Sequence, residues 1–175
     1  MGKAVLISIR PNWCKLIAEE KKTIEIRKTR PKIDTPFTCY IYCTLSGSNE
    51  FFRETLGGDV AAWNRSRMAE KKGMVIGEFV CDMIYKFSTR VYLGEAQKIS
   101  DEDIVVKSCL SRPELRDYEG HKTGMYGWRI SNLLIYDEPK KLSEFTGLRK
   151  TKFGYAPYEI KRPPQSWGYM KEGKG

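Results

Sequence analysis

Histidine is almost missing from this chain: His121 stands alone among 175 residues. A histidine pair able to hold a metal or run acid–base chemistry is therefore excluded, and no cluster of carboxylates in the sequence replaces it as a nuclease centre. Cys-x-x-Cys is also absent. The five cysteines, 14, 39, 43, 81 and 109, are odd in number and scattered, which argues against a disulfide framework. Cys39 and Cys43 would lie on one strand face two pleats apart, too far to share a zinc without a bend, so they read as core thiols. No apolar run approaches the roughly 20 residues of a membrane helix. Met-Gly-Lys-Ala leads into a strand-like run rather than a signal peptide, so a cytoplasmic protein is expected, with no membrane partner, no metal and no cofactor. There is no internal repeat.

What is present suits a globular chain, with 41% apolar and 30% charged residues. The length fits one domain, expected over 1–160, with 161–175 as an extended segment that packs on it or trails from it. The net charge of +9 is uneven. Residues 1–32 hold nine Lys or Arg against three Glu, residues 139–175 hold the same balance, and the middle is slightly acidic. If the two basic ends meet in the fold they make one positive face, whose simplest partner is an anion such as a nucleic acid or nucleotide. A merely solvated basic surface fits the same count.

"AVLISI" (Ala4 to Ile9) reads as a strand, and Pro11 opens a short helix in which Trp13, Leu16 and Ile17 recur at helical spacing. "TIEIR" alternates strictly and predicts a half-buried strand. "FTCYIYCTL" predicts a strand of the sheet interior, and Asp59 caps an expected helix through "VAAWNRSRMAEKK". "MVIGEFVCDMIYKF" is too long for one flat strand, so a bend or bulge is expected at Gly77. Ser100-x-x-Asp103 and Ser111-x-x-Glu114 are capping boxes for two short helices. "GMYGWRISNLLIYDEP" predicts a strand kinked near Ser131-Asn132 and ended by Pro139, and the tail "FGYAPYEIKRPPQSWGYM" should be extended. Several strands with only short helices between them predict an α+β, barrel-like domain.

"KKTIEIRKTR" packs five basic side chains around one acid. Thr23, Glu25 and Arg27 form a polar row opposite Ile24 and Ile26, with Lys22 at the junction before them. A carboxylate between Lys22 and Arg27 would hold both cations in fixed orientations and leave their outer donors for a ligand. The same spacing suits an ordinary solvated strand face, whose ion pairs are worth about 0–1 kcal/mol.

The stretch "ISIRPNWCKLIAEEKKTIEIRKTRPK" resembles the opening of ASCH (activating signal cointegrator homology) domains, in which a strand ending in Lys/Arg-Pro leads to a short helix and a Gly-x-Lys-x-x-Glu-x-Arg motif. Lys22, Glu25 and Arg27 match that motif. "YGWRISNLLIYDEPKKLSEF" and "RPPQSW" resemble the later strand and C-terminal segment of a bacterial and phage-type subgroup. One departure stands out: the motif glycine is Glu20, so a left-handed turn made by that glycine would have to be built differently here. The resemblance implies a PUA-like fold, a small β-barrel or pseudobarrel with short helices around it, and a cleft lined by the motif. It also implies binding of RNA or of single, modified nucleotides and nucleosides, with single-stranded DNA as a further possible ligand.

For such a binding module, Arg10, Lys22 and Arg27 are the expected contacts to phosphate or base oxygens, with Thr23 beside them, and Glu25 accepts from an exocyclic amine. Tyr126, Trp128 and Trp167 are candidate stacking platforms, although each aromatic taken singly suits the core better, and Arg162 is a candidate backbone clamp. Some small ASCH proteins are amidohydrolases that cleave N4-acylcytidine with a Lys-x-x-Thr pair and a distant Glu. Lys22 matches that lysine, but Glu25 stands where the hydroxyl would be. In a metal-independent hydrolase Lys22 and Glu25 would be catalytic, Lys22 or Thr23 would supply the oxyanion donor, and Glu114 a second carboxylate. A third class, a non-catalytic module whose basic face docks an acidic protein, fits the same residues.

Overall fold

The computed structural model describes residues 2–45, 71–94 and 97–173. The helix expected after Asp59 lies outside the described residues. The chain opens with β1 (Lys3–Ile9), α1 (Pro11–Ala18), β2 (Ile24–Arg27) and β3 (Phe37–Cys43), and continues with β4 (Met74–Cys81) and β5 (Ile84–Phe87). Two helices follow, α2 (Asp101–Ser108) and α3 (Arg112–Glu119), then β6 (Met125–Arg129), β7 (Ser131–Lys140), β8 (Thr146–Thr151), β9 (Gly154–Glu159) and β10 (Trp167–Lys171). Among the described residues no helix is long and apolar enough to cross a membrane.

Seven strands form one sheet in the order β7-β4-β3-β1-β10-β8-β9, and β2-β6-β5 form a smaller one. The architecture is α+β as expected, but among the described residues neither sheet closes into a barrel. β1 runs parallel to β3 and antiparallel to β10, with Lys3 opposite Lys171 and Ile7 opposite Trp167. Alternation then buries β1 on both faces. Val5, Ile7 and Ile9 meet Cys39, Ile41, Cys43 and Trp128, while Ala4 and Leu6 meet Tyr40, Tyr42 and Met170. A third cluster, Ile24, Ile26, Phe87, Ile104, Leu115 and Met125, packs the small sheet against α2 and α3.

Two of the long apolar runs split where the chain passes from one sheet to the other. The run from Met74 shows the expected irregularity at Gly77, where its register shifts against both β3 and β7, and it breaks at Asp82-Met83 because its second half pairs with β6 in the small sheet. Gly77 also permits a close approach. A Cβ there would sit 2.3 Å from the Leu134 carbonyl, so the glycine lets β4 and β7 come together where their register shifts. The run from Met125 passes over at Ile130, with Asn132 left-handed at φ 47°, and its strand reaches one residue past Pro139. Arg129 donates to both oxygens of Asp82 at 2.7 Å and pins the two crossings together.

The helix ends are where the sequence puts them. Ser100 and Ser111 accept from the backbone N–H groups of Asp103 and Glu114, and Glu114 returns the bond to Ser111 in a complete capping box. At the end of α1 the structure corrects the expectation for Glu20. Its φ is 56°, the Glu20 N–H donates to Ile17 O, and the Lys21 N–H donates to Leu16 O. That is the Schellman arrangement a glycine would make, formed here by an exposed glutamate.

Candidate nucleotide-binding cleft

The turn at Glu20 delivers Lys22 to the start of β2, where the Lys22 N–H also donates to Leu16 O. β2 is held by β6, Glu25 facing Trp128 and Arg27 facing Tyr126 in the ladder. The half-buried strand predicted here is buried on both faces: Lys22, Glu25 and Arg27 are only 2%, 6% and 8% exposed. Their covers come from distant parts of the chain, namely α1, the end of β1 and the segment before β10.

Glu25 does sit between the two cations. Its Oε1 pairs with Arg27 Nη2 at 2.9 Å, and Lys22 Nζ lies 3.4 Å from Oε2. Lys22 also donates to Ser108 O at 2.7 Å and lies 5.1 Å from the Trp13 ring centre. Arg27 donates through Nη2 to Ser8 O at 2.7 Å and through Nη1 to Ser166 Oγ at 3.4 Å. Two polar atoms remain over. Glu25 Oε2 and Arg27 Nε are buried with no hydrogen-bond partner among the described residues, the lysine being near Oε2 without the geometry of a bond.

The triad adds little net stability by its charges alone. At an effective dielectric near 20, charges about 4 Å apart attract by about 4 kcal/mol. Burying each ion costs several kcal/mol, so three buried charges gaining two attractions roughly break even. One carboxylate between two cations also leaves an excess positive charge at the cleft floor.

The cleft above this triad has a volume of ≈ 490 Å³, within the range of small-ligand sites. Arg10 is at its rim, exposed, at the N-cap of α1. Trp13 and Tyr118 line it, as do Ser8 and the segment Gln165-Ser166. That segment is strapped down by Ser8, whose Oγ donates to Pro164 O at 2.6 Å and whose N–H donates to Ser166 O at 3.0 Å. Burial pushes the Tyr118 phenol above its usual range, Arg27 opposes this and Glu25 adds to it, so the ring stays neutral.

Of the residues expected at the site, the structure brings Arg10, Lys22, Glu25 and Arg27 to the cleft lining, with Glu114 on the wall. Glu114 is committed elsewhere: its Oε2 accepts from Ser111 N–H at 2.7 Å and Oγ at 2.6 Å. Those bonds, first the hydroxyl and then the backbone, hold its carboxyl below the ordinary range. The other residues lie away from the described lining. Thr23 is used through its backbone, donating to Lys107 O and accepting from Ile130 N–H. Trp128 is 0% exposed, edge-on to Phe37 at 6.0 Å, a core residue rather than a platform. Tyr126 is half-buried against the same core, Trp167 donates its indole N–H to Thr29 Oγ1 at 3.0 Å, and Arg162 is exposed. Sequence reasoning missed Trp13 and Tyr118 as cleft walls. The available signals were Trp13 two places after Pro11 and Tyr118 one helical turn after Glu114.

Another cavity of ≈ 470 Å³ lies between α2 and α3 over Phe87, Ile104 and Leu115, but the triad residues line the first.

No protein-family model matches the sequence, and no curated protein matches it. Solved structures do. The crystal structure of ASCH from Zymomonas mobilis aligns with a TM-score of 0.53 at 18% identity, covering 97% of this chain and 88% of that one. A tyrosine-to-phenylalanine variant of that protein gives 0.51 at 16% identity over 97% and 91% of the two chains. A serine-to-alanine variant gives 0.51 at 18% over 97% and 89%. The chain therefore has the α+β, PUA-like fold of the ASCH proteins.

Proposed function

We propose that the cleft binds one nucleotide unit of RNA, base inward, on Lys22, Glu25 and Arg27. The observation that carries this reading is the buried, unbonded Glu25 Oε2 beside two cations at the floor of a ligand-sized cleft. A nucleobase edge offers the complementary set: an exocyclic amine that donates to a carboxylate, next to ring and carbonyl acceptors for cationic donors. Trp13 and Tyr118 supply ring faces for stacking, worth about 1–3 kcal/mol per base. Arg10 at the rim would take a phosphate in this reading. The resemblance of the Lys-x-x-Glu-x-Arg stretch to ASCH domains, and the basic balance of the chain, support the same ligand class.

Tryptophan fluorescence titrations with cytidine, cytidine monophosphate and short RNA and DNA strands test this. The expected result is saturable binding that weakens with salt and falls at least tenfold in Glu25→Gln. Binding of none of them at millimolar concentration, or equal binding by Glu25→Gln, overturns it. Incubation with N4-acetylcytidine belongs in the same series. Turnover lost in Lys22→Ala would replace a binding module by an amidohydrolase, a reading weakened by the capping duty of Glu114.

A further inference from the structure

At the far side of the large sheet, β8 and β9 form a hairpin whose two turn residues are Lys152 and Phe153. Turns of this kind draw on Gly, Asn, Asp, Pro and Ser, and nothing in turn geometry asks for phenylalanine. Here the turn is secured by Thr151, whose Oγ1 donates to Gly154 O at 3.1 Å and accepts from the Phe153 N–H at 3.2 Å. The Phe153 ring is left over. It is 89% exposed, with the Lys152 ammonium 5.0 Å from its centre.

The hairpin and the residues that follow it carry charge of mostly one sign. Residues 146–162 carry Arg149, Lys150, Lys152, Lys161 and Arg162 against the single acid Glu159, and all six are exposed. The hairpin is braced close to its turn. Tyr155 meets Tyr169 edge-on at 5.4 Å, Tyr169 meets Trp167 at 5.4 Å, and Lys3 Nζ sits 4.0 Å over the Tyr155 ring. The register also sets where the turn lies. β8 runs antiparallel to β10 with Gly147 opposite Met170, so the chain turns after Thr151 at the end of the sheet where β10 begins. Gln165 and Ser166, which line the cleft, immediately precede that start.

We propose that this hairpin is a second nucleic-acid contact, in which Phe153 stacks on an unpaired base and Arg149, Lys150 and Lys152 hold the flanking phosphates. The ligand of the whole protein is then a single-stranded polynucleotide rather than a free nucleotide. The choice of partner class rests on the nucleotide reading of the cleft. Charge complementarity and an aromatic face held on a braced support are the requirements for sequence-tolerant single-strand binding. A peptide strand is disfavoured: β9 is the edge strand among the described residues, and Pro157 interrupts its row of N–H donors.

Fluorescence anisotropy with a labelled pyrimidine RNA of about 12 nucleotides separates the contributions. Phe153→Ala is expected to weaken binding about tenfold with no change in salt dependence, because stacking displaces no counterions. Lys150→Ala combined with Lys152→Ala should instead flatten the slope of log K against log salt by about 1.4, roughly 0.7 per lost phosphate contact. Both sets should bind cytidine monophosphate like wild type. The proposal is overturned if both sets bind the RNA like wild type with the original slope, or if the wild type does not bind the RNA at low salt. It also fails if Phe153→Ala spares RNA binding but abolishes sedimentation with phosphatidylserine vesicles. Should RNA binding depend on the hairpin while cytidine monophosphate does not bind and Glu25→Gln is silent, the cleft reading fails and the hairpin contact stands.

Discussion

Arg27 ties the small sheet to the large one by donating to the Ser8 carbonyl at 2.7 Å while it pairs with Glu25. The same guanidinium therefore closes the gap between β1 and β2 and orients the carboxylate at the cleft floor. Arg27→Ala leaves Glu25 with one of its two buried countercharges and orphans the Ser8 carbonyl. A loss of about 3–5 kcal/mol is expected in urea unfolding. Arg27→Lys should recover only part of it, since an ammonium cannot reproduce the planar fork.

Glu20 gives a prediction of opposite sign. A non-glycine residue in the left-handed region is strained by about 1–2 kcal/mol. Glycine relieves this but loses more entropy on folding, by about 0.4–1 kcal/mol. Glu20→Gly should therefore raise stability by about 0.5–1 kcal/mol, read as a higher melting temperature, whereas Glu20→Val should lower it.

Glu119 is a third test. Burial alone would raise its carboxyl, but bonds from the hydroxyls of Ser88 and Thr89 and from the N–H groups of Gly124 and Thr89 outweigh it and bring the group to about 2. Its ordinary value is 4.5, so the group is depressed in the folded state. The stability it contributes is complete above about pH 4.5 and is lost as the pH falls toward 2. Glu119→Gln should be less stable at pH 7 and should lack that acid-dependent step in urea titrations at successive pH values.

Trp128 separates core from platform. Trp128→Ala should cost about 3–5 kcal/mol of stability, because it opens a large cavity. Its indole N–H has no partner among the described residues, so Trp128→Phe should cost much less and leave nucleotide affinity unchanged. A specific loss of affinity in Trp128→Phe, measured at equal stability, would contradict the core assignment.

Local signals in the sequence located the parts whose causes are local. Pro11 opens α1, Ser100 and Ser111 start the next two helices, and the alternation of β2 separates Glu25 and Arg27 from Ile24 and Ile26. Burial of that polar row was not legible, because Ser8 and Ser166, which cover Arg27, lie 19 and 139 positions away. The passage between sheets at Asp82 was hidden for a related reason. Its hydrophobic run continues on both sides, and only pairing with distant β6 reveals the change of sheet. At Trp128 the reading of a large ring as core is the one that holds, and its place as a stacking platform does not.

The pairing of Lys3 with Lys171 has a temporal consequence. During synthesis, β1 must wait until Lys171 has been made before its second edge is covered, a long-range closure of the kind that slows folding. The segment that leads into β10 also brings Gln165 and Ser166 to the cleft. A filled cleft would thus mark molecules whose final strand is in place, and a chain cut short before Trp167 would lack both that strand's support and the strap over Ser8.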